Sequence, residues 1–110
     1  MLVSLDAIRE PAGRISGIAR RTPVLDLSDL AGRPFLVKCE SHQPGGAFKI
    51  RGATNMLRRL PADALRRGVI TYSSGNHGQA VALAASRLVG RAVIVMPTTA
   101  PALKVARVKP

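Results

Sequence analysis

The stretch Val69-Ile70-Thr71-Tyr72-Ser73-Ser74-Gly75-Asn76, continuing through Leu88 to Ala92-Val93-Ile94-Val95-Met96, decides the fold. Two short runs rich in β-branched residues flank an alanine-rich segment, and small polar residues with a glycine fill the first junction. That pattern predicts a strand over Val69–Tyr72, a tight turn, a helix over Asn76–Leu88 and a strand over Ala92–Met96 stopped by Pro97. Toward the N-terminus, Phe35–Cys39 reads as a further strand and Phe48–Leu60 as a helix ending at Pro61. Toward the C-terminus, a last helix is expected to begin near Pro101, where a proline forfeits no hydrogen bond, and to run through Leu103 to Val108. Strands alternating with helices at this spacing predict an α/β fold: right-handed βαβαβ crossovers and a parallel sheet with helices on both faces. The loops Glu40–Ala47, Ser73–Gly75 and Pro97–Ala100 would then open at one sheet edge, the carboxyl edge where such folds bind ligands.

The N-terminal third is less regular. Leu5, Ile8, Ile15 and Ile18 mark an amphipathic helix whose middle is weakened by Pro11 and Gly13, so two short pieces are expected. Thr22-Pro23 leads into an extended segment over Val24–Leu27, because a residue before proline is pushed out of the helical region. Asp6, Arg9, Glu10 and Arg14 interrupt the apolar pattern of Met1–Ile18, which fits neither a signal-peptide core nor a membrane span.

With 110 residues, 46% of them apolar and 21% charged, the chain has the balance of one globular domain and is short for a two-domain cofactor enzyme. The formal net charge of +11 raises the question of a nucleic-acid or anionic-membrane partner. No basic cluster alternates with stacking aromatics, however, and the arginines are spread along the chain; a solvated Arg-rich surface accounts for them, and neither nucleic acid nor membrane is expected as a partner. Cys39 is the only cysteine, so there is neither a disulfide framework nor a set of thiolate metal ligands, and a cytoplasmic setting is expected. Within its apolar run, Cys39 reads as a small core residue.

Two loops carry the candidate chemistry. In Glu40-Ser41-His42-Gln43-Pro44-Gly45-Gly46-Ala47-Phe48-Lys49-Ile50-Arg51-Gly52-Ala53, paired glycines let the backbone turn tightly and approach a flat ligand, with Lys49 opening a helix directly behind. A helix N-terminus and burial both disfavour an ammonium, so a lysine there is expected to have a lowered pKa and to be a nucleophile able to form an imine with a carbonyl. A lysine in a first helical turn is, in general, more often solvated surface. In Ser73-Ser74-Gly75-Asn76-His77-Gly78-Gln79-Ala80, the strand-to-helix junction is suited to a carboxylate, although Asn76 reads equally well as a helix N-cap. His77 and His42 lack a second ligand or carboxylate nearby and read as loop-packing residues. Arg51 reads as the structural partner of an acidic group.

The first stretch resembles the lysine motif of fold-type II pyridoxal-phosphate enzymes, Glu-x-x-Gln-x-Thr-Gly-Ser/Ala-Phe-Lys-x-Arg-Gly-Ala, with Gly45 in place of the usual threonine. The second resembles the signature of that family's threonine/serine dehydratase and serine racemase group. Ala92–Lys104, with its Met-Pro and Ala-Pro steps, is a weaker match, and together the matches cover roughly residues 20–104. The resemblance implies pyridoxal 5′-phosphate as cofactor, Lys49 as its Schiff-base lysine, Phe48 packed beside it and Asn76 on its ring hydroxyl. It implies Ser73, Ser74, Gly75, Asn76 and His77 around an amino-acid substrate's carboxylate, with Ser74 as acid/base on the second face. It implies no metal ligand in this stretch. The implied reaction is deamination of L-threonine or L-serine to a 2-oxo acid and ammonia, with serine or aspartate racemisation as the alternative, in a homo-oligomer when full length.

By the same resemblance, residues 1–34 form an N-terminal segment of the family's large domain and residues 35–110 part of its cofactor-binding α/β region. Family members are several times longer, and their glycine-rich cradle for the cofactor phosphate has no counterpart here. The chain is therefore expected to be an N-terminal portion that alone holds the cofactor weakly; an inactive fragment is the rival reading.

Overall fold

In the computed structural model, residues 2–88 and 90–109 are described; Met1, Val89 and Pro110, which fall at the edges of the expected segments, lie outside them. The elements run α1 (Leu5–Ile15), β1 (Val24–Asp26), α2 (Ser28–Ala31), β2 (Leu36–Lys38), a 3-10 turn (Glu40–His42), α3 (Lys49–Leu57), α4 (Ala62–Arg67), β3 (Val69–Tyr72), α5 (Asn76–Arg87), β4 (Ala92–Val95) and α6 (Ala102–Ala106).

The α/β class is as expected, and its centre is one βαβ unit. β3 and β4 pair in parallel, with Val69 opposite Ala92 and Tyr72 opposite Val95, and α5 forms the crossover between them. The expected third strand is placed differently. β2 pairs antiparallel with β1, Leu25 facing Val37, and the two strand pairs are separate sheets. The short connection from β1 to β2 through α2 cannot house a parallel crossover, and closing this local loop costs less chain entropy than bringing β2 to β3. Among the described residues, helices do not cover both faces of the sheet either. Val69, Thr71, Ala92 and Ile94 are half-buried, whereas Ile70, Tyr72, Val93 and Val95 are exposed.

The core sits between α3 and α5. Ile50, Ala53, Thr54 and Leu57, spaced at one helical face, meet Ala80, Val81, Ala84 and Ala85. The alanines give α5 a small-residue face toward α3. Gly78 does the same toward the sheet: a Cβ there would lie 2.8 Å from Ile94 Cγ2 and 2.9 Å from the Ser73 carbonyl oxygen.

Three boundaries differ from the sequence reading. α3 stops at Leu57 because the chain tightens there: the Arg59 N–H donates to the Met56 carbonyl and that of Leu60 to the Leu57 carbonyl. α4 was not anticipated, although Pro61 at its N-cap, Asp63 in its first turn, Arg66 and Arg67 in its last and Gly68 as its C-cap are all terminal signals. α1 is one helix through Pro11, not two pieces. Ser4 caps it, accepting from the Ala7 N–H at 3.2 Å. Arg14 Nε donates to Asn55 Oδ1 at 2.7 Å and Arg58 Nη1 to the Arg14 carbonyl at 2.6 Å, so polar bonds to α3 offset a proline cost of about 3 kcal/mol. No described helix is long and apolar enough to cross a membrane.

Candidate active site

The lysine turn begins at the 3-10 turn and ends at α3. Gly45 and Gly46 have φ of 80° and 71°, the left-handed region that side chains resist, and the Gly46 N–H donates to the Gln43 carbonyl at 2.8 Å. A threonine, the family's usual residue at position 45, would be strained in this backbone. Lys49 opens α3 as expected, but the burial expected of it is not found: the side chain is exposed, with Nζ 5.0 Å from the centroid of the Phe48 ring. Phe48, Lys49, Arg51, Gly52, Ala53, Met56 and His77 line a largely apolar cleft of ≈ 290 Å³.

The acidic partner of Arg51 is Glu40. Arg51 Nε donates to Glu40 Oε2 at 2.8 Å and Nη2 to Oε1 at 2.7 Å, a bidentate pair. Thr22 Oγ1 donates to Oε1 at 2.6 Å and Gln43 Nε2 to Oε2 at 3.2 Å. The guanidinium and these donors hold the Glu40 carboxyl well below its ordinary value of 4.5, at about 2, against the opposing effect of burial; the same pairing raises Arg51.

At the second loop, the Ser73 N–H donates to the Val95 carbonyl at 2.9 Å, extending the parallel ladder, and Ser73 Oγ accepts from the Gly75 N–H at 3.2 Å. The N-cap of α5 is Gly75, not Asn76, and it offers no side-chain cap. Asn76 is the first helical residue and is exposed, so its amide is not spent on capping. His77 Nε2 lies 3.2 Å from Thr71 Oγ1. Thr71, Tyr72, Ser73, Ser74, His77 and Pro97 line an open depression of ≈ 600 Å³.

His77 thus borders both concavities: with Phe48 and Lys49 it lines one, with Ser73 and Ser74 the other. Thr71 and Met56 were missed in the sequence. Thr71 is a polar residue at an inward position of an alternating strand, and Met56 shares a helical face with Lys49, Gly52 and Ala53 at i, i+3, i+4 and i+7; both signals are legible. Among the described residues no group of three or more His, Cys, Asp and Glu could hold a metal ion.

The lysine at the start of α3 and the uncapped N-terminus of α5 thus border adjoining concavities that share His77. The chain belongs to the pyridoxal-phosphate dependent enzyme family, which it matches over residues 15–110, a span that takes in the C-terminal residues the motif reading left out. It is 46% identical over 108 residues to serine racemase of Oryza sativa subsp. indica, covering 96% of this chain and 32% of that protein. To an L-threonine dehydratase of Burkholderia multivorans it is 49% identical over 87 residues, covering 79% of this chain and 17% of that protein. The structure of maize serine racemase superposes with a TM-score of 0.90 at 44% identity, covering 98% of this chain and 34% of that one. The chain therefore spans about a third or less of the length of these relatives.

Proposed function

We propose that this chain forms the lysine-bearing part of a longer pyridoxal-phosphate enzyme that deaminates L-threonine or L-serine to a 2-oxo acid and ammonia. The observation that carries it is the joint placement of Lys49 and the Ser73–His77 junction around adjoining concavities bordered by His77. The donor set suits the cofactor: the Phe48, Ala53 and Met56 surface would take a flat ring, Lys49 would hold its carbonyl, and Asn76, whose amide is not spent on capping, would serve the ring hydroxyl. Bound there, pyridoxal phosphate supplies a sink for the electrons left when the α-proton departs.

Each residue then has one task. The Lys49 amine would hold the cofactor's carbonyl and would be the base placed to take the substrate's α-proton. The N–H groups at the start of α5, with Ser73 and Ser74, hold the substrate carboxylate where the helix dipole favours an anion. The β-hydroxyl would leave as water with a proton equivalent to the one taken from Cα, and addition of water to the dehydrated product would give the 2-oxo acid and ammonia.

Racemisation is the second reading, favoured by the likeness to the rice and maize serine racemases. It needs a proton donor on the face opposite Lys49, a task that falls to Ser74. The test uses the complete enzyme with L-serine and L-threonine, measuring oxo acid against D-isomer. Elimination predicts oxo acid in excess, with Ser74→Ala sparing it more than any D-isomer. Dominant D-isomer formation would establish the racemase reading, and unchanged turnover in Lys49→Ala would refute both.

A further inference from the structure

The turn that presents Lys49 has little internal bonding, yet both of its ends converge on one carboxylate. At its upstream end Gln43 is buried, and its amide pairs with the backbone of Arg20 as a neighbouring strand would: Oε1 accepts from the Arg20 N–H at 2.9 Å and Nε2 donates to the Arg20 carbonyl at 2.7 Å. At its downstream end Arg51, two residues beyond Lys49, grips both Glu40 oxygens and donates to the same Arg20 carbonyl at 3.0 Å. Thr22, buried, binds Glu40 from the segment ahead of β1. Between these ends Gly45 and Gly46 supply a left-handed bend with no side chain to lock it.

We infer that Glu40, Gln43 and Arg51 form a clamp that sets where the Lys49 amine stands, and that they are positioning residues for the chemistry at Lys49. The inference rests on the reading of Lys49 as the cofactor-bearing lysine. The clamp works by geometry: an ionised Glu40 offers lone pairs to donors from three segments at once, and a bidentate guanidinium fixes the first turn of α3 in direction as well as distance. A lysine in place of Arg51 keeps the charge and loses the fork.

Two measurements on the complete enzyme separate positioning from simple support of the fold. Amide hydrogen exchange reads the turn over residues 44–50, with α5 as a control for global folding. Treatment with pyridoxal phosphate and borohydride, followed by peptide mapping, gives the share of adduct on Lys49 against Lys38, Lys104 and Lys109. Arg51→Met is expected to speed exchange in the turn by about tenfold with α5 unchanged and to lower the Lys49 share several-fold, and Arg51→Lys to recover part of both. Should Arg51→Met prove too unstable to keep α5 protected, Glu40→Gln, which retains an acceptor, decides with the same readouts. Unchanged exchange in the turn would overturn the clamp. Faster exchange with the parent's Lys49 share would overturn its role in positioning. If the parent enzyme labels Lys49 no more than its other lysines, the reading of Lys49 fails, and the exchange measurement still decides the clamp.

Discussion

Single residues set the tolerances of this site. Gly78 is where α5 leaves the Ser73–Gly75 loop, and the room for a Cβ is taken by Ile94 and by backbone of Ser73. Gly78→Ala is expected to cost about 1–3 kcal/mol, because a backbone carbonyl cannot swing aside as a side-chain tip can; thermal denaturation measures it. Glu40 gives the chain a defined acid response. Its folded-state value of about 2 lies below the ordinary 4.5, so the unfolded chain binds more protons in that window. The contribution is fully present above 4.5 and is lost as pH falls toward 2. With allowance for screening at a site that retains some exposure, it amounts to about 2 kcal/mol. Denaturant titrations at pH 6 and pH 3 should show about half of this loss in the parent and little of it in Glu40→Gln.

At the scale of elements, the α3–α5 contact carries the fold and contains one mismatch. Thr54 is fully buried on the face of α3 that carries Ile50, Ala53 and Leu57, and its hydroxyl has no hydrogen-bond partner among the described residues. Thr54→Val keeps the shape and removes the orphaned group, and is expected to stabilise the chain by about 1 kcal/mol in denaturant melts. The helical face of α3 was legible because Ile50, Ala53, Thr54 and Leu57 repeat at the helical period. The end of α3 and the whole of α4 were not: the stretch from Arg58 to Arg67 holds two helix-compatible segments around Pro61, and the choice of boundary depends on tightened turns that leave no pattern in apolar residues. The Lys49 motif and the Ser73–Gln79 junction were legible as loops at the carboxyl ends of strands. The partner of Arg51 was not, since Glu40 and Arg51 meet only after the glycine turn folds back.

For the molecule as a whole, the uncovered sheet face has the largest consequence. Ile70, Tyr72, Val93 and Val95 point away from α5, with relative exposures from 49% to 86%. An apolar face on two strands with unpaired outer edges is prone to association even at a net charge of +11. Replacing Ile70 with lysine is expected to reduce light scattering of the concentrated chain while changing stability by no more than about 0.5–1 kcal/mol, since its side chain is 72% exposed.

What the sequence by itself determined is local: the β3–α5–β4 unit, the start of α3 at Lys49, the glycine bend and the two motifs that assign the family. Each follows from residues within one turn or one strand of each other, where propensity, spacing and the conformational freedom of glycine act directly. Only the tertiary structure decided that β2 pairs with β1 instead of β3, that Gly75 and not Asn76 caps α5, that Lys49 stands exposed, and that Glu40 gathers Thr22, Gln43 and Arg51. Those outcomes depend on which distant segments win the competition for one edge, one helix end or one carboxylate. Such competitions are settled by loop-closure entropy and hydrogen-bond geometry in three dimensions, neither of which is carried by neighbours along the chain.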